Sequence, residues 1–322
     1  MRGLLLYSEE AKNAKELSFI KELQNAGIDT VVLIIKDYNG SWMTLEEVKE
    51  IKLFLKKQDI KLFGWICTLT EGYEGELTKK NRSPFFEERK WSVIDMDGNN
   101  TIDKPIYCDL GYEQYACPNN NDHTDFVIST LLEYKECLEG VLFDFVRFPL
   151  EEEYCFCEEC NKLSRKIYNK DIKKLSTFER FLFKKESITR FVNKLNSSTD
   201  LESTFLVWPE FYTKDLMRSQ DYKNWKVDNI SPMMYKTLWP SEKFLKNIAL
   251  NKTIAKSLPL YILDESLKTK VKSLKTFNDD FIITHYKLKS PSNLNGFKIK
   301  RIFYMVYRHI EYYDRKLNWR WF

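Results

Sequence analysis

Eight short runs rich in β-branched and aromatic residues alternate with helix-period patterns along the chain, and this alternation narrows the fold more than any other feature. The runs are GLLLYS (3–8), TVVLIIKD (30–37), KLFGWICT (61–68), GVLFDFVRF (140–148), STFLVWPEF (203–211), NISPMMYK (229–236), LPLYILDE (258–265) and RIFYMVYR (301–308). Between the first two, Ala14, Leu17, Ile20 and Leu23 line one face of a helix that Gly27 stops. Thr44 with Glu47, and Ser176 with Glu179, read as capping boxes that open two further helices. Strands separated by helices imply parallel pairing. Because no Gly-rich phosphate turn follows the first run, a closed (β/α)8 TIM barrel fits better than an open doubly wound sheet. The expected architecture is therefore α/β, a single barrel domain over residues 1–322. Long connections at 69–121 and 149–202, after the third and fourth strands, are expected to wall a cleft at the C-terminal face.

With 322 residues, 43% of them hydrophobic, the chain has enough apolar material for one large core. Its 51 basic and 47 acidic residues leave a formal charge of only +4, and the lysines are scattered, so a nucleic acid is not the expected partner. No apolar stretch approaches a membrane span, and MRGLLLYSEE turns acidic too early for a signal-peptide core. A soluble, cytoplasmic protein with no membrane partner is expected. Seven cysteines, an odd and unevenly spread number, argue against a secreted disulfide framework. His123, His285 and His309 are the only histidines, and none stands at an early strand end beside a serine or cysteine. Ser–His and Cys–His hydrolysis are thereby disfavoured.

In a barrel of this kind the C-terminal strand ends carry the chemistry. Asp37 ends the second run, Asp144 the fourth, Glu210 the fifth, and Asp264 with Glu265 the seventh. Two such carboxylates suit cleavage of a glycosidic bond: one protonates the leaving oxygen, and the other attacks the ring or activates water. Tyr7, Trp65, Trp208, Tyr235 and Tyr307 cluster at the same ends, where aromatic faces stack on sugar rings; each is equally open to a packing role. Asp144 and Arg147 lie three apart on an apparently extended run, so they are expected to leave on opposite faces instead of pairing. Glu210 follows Pro209 at the rim, with Asp215 as its fallback, and Asp264 with Glu265 equally suit the first turn of a helix. Asp37 either binds substrate hydroxyls or turns the chain.

CFCEEC places Cys155, Cys157 and Cys160 at a spacing close to a tetrahedral thiolate site but one ligand short; Cys117 or Cys108 would complete it. A structural zinc is one reading, and three reduced thiols at a helix start the other.

GVLFDFVRFP (140–149), YACPNN (115–120), SQDYKNWKVDNISPMMYK (219–236) and WSVIDMDGN (91–99) together resemble a group of glycoside hydrolase-like (β/α)8 barrels. The fourth strand of that group ends in G-[IV]-x-[FL]-D-[YF]-[VI]-R-[FY]-P. More distantly, the layout is similar to the alpha-amylase clan, in which an Asp, a Glu and an Asp end strands four, five and seven; Asp144, Glu210 and Asp264 hold the matching places. The arginine of that clan lies two residues before its nucleophile, where this chain has Leu142. The resemblance implies a carbohydrate substrate and hydrolysis of O-glycosidic bonds, in the retaining sense on the amylase-like layout. It implies Asp144 as nucleophile or base and Glu210 as acid; no cofactor is expected in the chemistry, and Arg147, Tyr235, Trp65 and Trp208 are expected to position the sugar. Two other functions stay open: a saccharide-binding barrel without catalysis, and a zinc-dependent hydrolase or deacetylase built on CFCEEC.

Overall fold

The computed structural model describes residues 1–6, 17–25, 27–38, 40, 42–72, 88–108, 111–149, 154–207, 219–235, 260–263 and 281–285. For residues 107–108, 111–112, 223, 232–235, 260–263 and 281–285 it describes the backbone alone. All of these belong to one compact unit, Met1–His285. The expected strand at 301–308, with Tyr307, lies outside the described residues.

In chain order the elements are β1 (Arg2–Leu6), α1 (Leu17–Asn25), β2 (Thr30–Lys36), α2 (Leu45–Lys56), β3 (Lys61–Cys67), β4 (Thr70–Gly72), β5 (Ile106–Cys108) and β6 (Gly111–Tyr115). There follow α3 (Asn121–Tyr134), β7 (Gly140–Asp144), α4 (Glu158–Tyr168), α5 (Thr177–Ser197), β8 (Glu202–Val207), β9 (Asn229–Tyr235), β10 (Leu260–Leu263) and β11 (Phe281–His285). The fold is mixed α/β around a curled parallel sheet. Its strands pair in the order β1, β2, β3, β7, β8, β9, β10, β11, and β11 returns to β1 with Arg2 opposite Phe281. Seven of the expected strands stand where the periodicity puts them. The place beside β1, expected for residues 301–308, is instead taken by Phe281–His285, a run the periodicity left unassigned.

Side-chain alternation sorts the strands into two faces. Leu62 and Ile66 of β3 join a large apolar cluster with Val48, Ile51 and Leu55 of α2, so that face lies under the helices. The alternate residues Phe63, Trp65 and Cys67 join Leu5, Val32, Ile34, Leu142, Phe145 and Leu206 in a second cluster, which fills the inside of the curl. Both capping boxes form as their sequences require: the Thr44 and Ser176 hydroxyls accept from the Glu47 and Glu179 amides, and each glutamate reaches back to the cap amide. Leu17, expected on the buried face of α1, is 56% exposed, while Ile20 and Leu23 are buried.

The long connection after β3 is not a bare loop. Within it β4, β6 and β5 form a small antiparallel sheet in that order, with Glu71 opposite Gln114. Among the described residues no helix is long and apolar enough to cross a membrane.

Candidate active site

Asp144 is the last residue of β7 and shares its alternation with Leu142, so its side chain belongs to the inner face, in the layer above Leu142 and Trp65. The strand stops there, four residues sooner than expected, because Phe145 adopts a left-handed conformation with φ of 57°. For a residue with a Cβ this conformation costs roughly 1–3 kcal/mol, which the surrounding contacts must offset. The Asp144 carboxylate accepts from the Phe145 amide at 2.6 Å, and its carbonyl accepts from the Thr68 amide at 3.0 Å and hydroxyl at 2.7 Å. Phe145 stacks near Tyr38 with ring centroids 5.3 Å apart, and the Arg147 guanidinium lies 4.4 Å from the Phe145 ring centre. Arg147 is therefore beyond the strand, and the alternation that put it opposite Asp144 does not extend to it. Gln220 secures the same turn, donating from Nε2 to the carbonyls of Val146 at 3.2 Å and Leu206 at 3.5 Å.

Asp144 is one of several charged groups gathered at the ends of β2, β3 and β7. Cys67 lies opposite it in the β3–β7 ladder. Burial pushes the Cys67 thiol well above its usual range; Lys36 opposes that rise, while Asp144, Glu71 and Asp37 add to it. All four charges therefore act on the same buried sulfur. Lys36, the last residue of β2, forms an ion pair with Glu71 of β4 at 2.5 Å, with both side chains at most 1% exposed. Tyr38 donates to a Glu113 oxygen at 3.2 Å, and the Tyr115 hydroxyl donates to the other. The small sheet thus delivers two buried glutamates, Glu71 and Glu113, to the neighbourhood of the β2 end.

The chain matches no family model and no curated protein. Among solved structures it is similar to an alpha-galactosidase from Lactobacillus brevis, with a TM-score of 0.51, 13% identity, and coverage of 95% of this chain and 40% of that one. It is also similar to an alpha-amylase from Lactobacillus plantarum, with a TM-score of 0.50, 13% identity, and coverage of 89% and 70%. A catalytic module of the pneumococcal exo-beta-D-N-acetylglucosaminidase gives a TM-score of 0.50 at 11% identity, with coverage of 94% and 83%. What these proteins share with the chain is a fold.

The expected site residues divide into three sets. Asp144, Arg147, Asp37 and Trp65 come together around the β2, β3 and β7 ends, and Trp65, 6% exposed within the inner cluster, forms the floor one layer below Asp144. The Asp37 carbonyl accepts from the Gly40 amide at 3.1 Å, so this aspartate does turn the chain. Tyr235 ends β9 and is described through its backbone; Tyr7, Trp208, Glu210, Asp215, Asp264, Glu265 and Tyr307 lie outside the described residues. The cysteines form the third set. Cys117, Cys155, Cys157 and Cys160 place their sulfurs within 4.8 Å of one another, the one such group of potential metal ligands among the described residues.

Sequence reasoning passed over Lys36, Glu71, Glu113 and Gln220. Lys36 was readable in part, since a lysine closing an otherwise apolar buried run is as anomalous as Asp144. Glu71 and Glu113 carry no local signal, because their burial comes from a small sheet made by segments about forty residues apart.

Proposed function

We propose that the chain is a glycosidase built on a (β/α)8 barrel, cleaving O-glycosidic bonds of an oligo- or polysaccharide with two carboxylates. The observation that carries this reading is Asp144, an inward-facing carboxylate at a parallel strand end, on a turn held by a left-handed Phe145 and by Gln220. Barrels place reacting groups at such ends, and a strained, over-determined turn presents a side chain at a fixed height. The glycoside hydrolases that share the fold point toward a carbohydrate substrate.

In this proposal Asp144 attacks the anomeric carbon and Glu210 protonates the departing oxygen; water then releases the sugar as Glu210 takes a proton back. Asp264 is the third strand-end acid, polarising a ring hydroxyl. Arg147, on the Phe145 ring, Asp37 and Tyr235 bind hydroxyls, while Tyr7 and Trp208 supply apolar platforms and Trp65 closes the floor. Retention requires the Asp144 and Glu210 carboxyl groups to stand about 5–5.5 Å apart. No cofactor enters the chemistry.

The test is a hydrolysis screen on an oligosaccharide panel with wild type, Asp144→Asn and Glu210→Gln. Asp144→Asn keeps the acceptor that holds the Phe145 amide, so the fold is expected to survive with a loss in kcat on the order of 10³-fold or more. Glu210→Gln is expected to lose activity on natural linkages and to keep much more of it on aryl glycosides, whose leaving groups need little protonation. Full activity of both variants on every substrate cleaved by wild type would sink the mechanism. Binding without cleavage by wild type would favour a saccharide-binding barrel.

A further inference from the structure

Cys117 follows β6, its amide bonded to the Trp91 carbonyl at 2.7 Å, whereas Cys155 and Cys157 precede α4 and Cys160 stands in its first turn. Two long connections, one after β3 and one after β7, therefore meet at four sulfurs. Cys117 Sγ lies 3.4 Å from Cys160 Sγ and 3.6 Å from Cys157 Sγ. A tetrahedral zinc with Zn–S bonds of about 2.3 Å needs sulfur separations of roughly 3.8 Å, so this cage is close to the required size. Cys117, Cys155 and Cys160 are almost wholly buried, and Cys157 is half-buried.

The sulfurs are also the targets of N–H donors. Cys155 Sγ accepts from the amides of Ile94 at 3.3 Å and Cys157 at 3.4 Å, Cys157 Sγ from the Cys160 amide at 3.5 Å, and Cys160 Sγ from Asn119 Nδ2 at 3.2 Å. A neutral thiol is a weak acceptor, and four aimed donors would be poorly satisfied by reduced cysteines. Metal-bound thiolates accept such bonds well, and outer donors of this kind orient ligands and spread their charge. Asn119 also donates to the Ser187 hydroxyl at 3.0 Å, which ties the cluster to α5. The Phe156 amide donates to the Ile94 carbonyl at 2.8 Å, so the 92–95 segment docks on the same loop.

We propose that Cys117, Cys155, Cys157 and Cys160 bind one structural zinc ion that clamps the two connections flanking the β7 end. Four thiolates fill the tetrahedral shell and leave no position for water, so the ion supplies order and not catalysis. The clamp is independent of which reaction the barrel performs.

The test uses the full chain, expressed with added zinc and purified without chelator. Elemental analysis is expected to give about one zinc per chain. Exchange into cobalt is expected to produce intense thiolate-to-metal charge transfer and tetrahedral visible bands. In Cys157→Ser, where serine preserves the helix cap, both the bound zinc and the cobalt spectrum should fall to background. Cys117→Ala should do the same. The proposal is overturned if folded wild type binds no zinc and shows four reactive thiols or two disulfides by mass. Iron in place of zinc overturns it too, as does a Cys157→Ser protein that keeps a full equivalent of zinc.

Discussion

Lys36 and Glu71 form an ion pair in which both side chains are buried. Lys36 also sits 5.8 Å from the Trp42 ring centre, so its ammonium is enclosed by a carboxylate and an aromatic face. Removing one member of a buried pair strands the other in a low-dielectric site, whereas removing both does not. Lys36→Met is accordingly expected to cost about 3–5 kcal/mol of unfolding free energy, and Lys36→Met with Glu71→Met to recover most of it. Urea titration of the three proteins measures this; a single variant within 1 kcal/mol of wild type would mean that the pair contributes little. Asp144 was readable at this scale because charge inside an apolar run is anomalous by itself. Glu71 was not, since its environment is made by residues remote in the chain.

At the scale of elements, β7 and β3 meet through a missing side chain. A Cβ on Gly140 would lie 2.3, 2.5 and 2.7 Å from three atoms of the Phe63 ring, which packs in the inner cluster. Gly140→Ala must therefore push an inner ring out of place, at an expected cost of about 1–3 kcal/mol, and Phe63→Leu in the same background should return part of it. Equal denaturation midpoints for wild type and Gly140→Ala would show that the interior has slack there. Helices and central strands were legible because their signals are local: two capping boxes, a 3.6-residue period and β-branched runs between turns. The small β4–β6–β5 sheet was not, because strands as short as Thr70–Gly72 and Ile106–Cys108 hold too few residues to show alternation. The true end of β7 was equally hidden, since FVRF has strand composition and only the left-handed Phe145 breaks it.

For the molecule as a whole, His123 couples folding to pH. It is 1% exposed, with the Trp91 ring at 5.5 Å and the Phe191 ring at 6.5 Å, and burial pushes its imidazole down to about 3. The unfolded chain takes up that proton near pH 6.5 while the folded one stays neutral, so the stability it contributes is complete above 6.5 and is lost as pH falls toward 3. The loss amounts to about 1.4 kcal/mol per pH unit in that window. Replacing His123 by Leu should flatten the dependence of unfolding free energy on pH between 6.5 and 4 relative to wild type; parallel slopes for the two proteins would exclude the histidine as the cause. Periodicity, caps and the charge within GVLFDFVRFP determined, from sequence alone, the α/β class, seven strand positions and Asp144 as the anomalous charge of the fourth strand. Tertiary structure alone decided that Phe281–His285 pairs with β1, that Glu71 meets Lys36, and that Cys117 joins the three cysteines of CFCEEC. The reason is physical: periodicity records which face of an element is buried, but not which distant segment covers it. That choice is made by whichever long-range pairing buries the most surface while leaving the fewest polar groups unpaired.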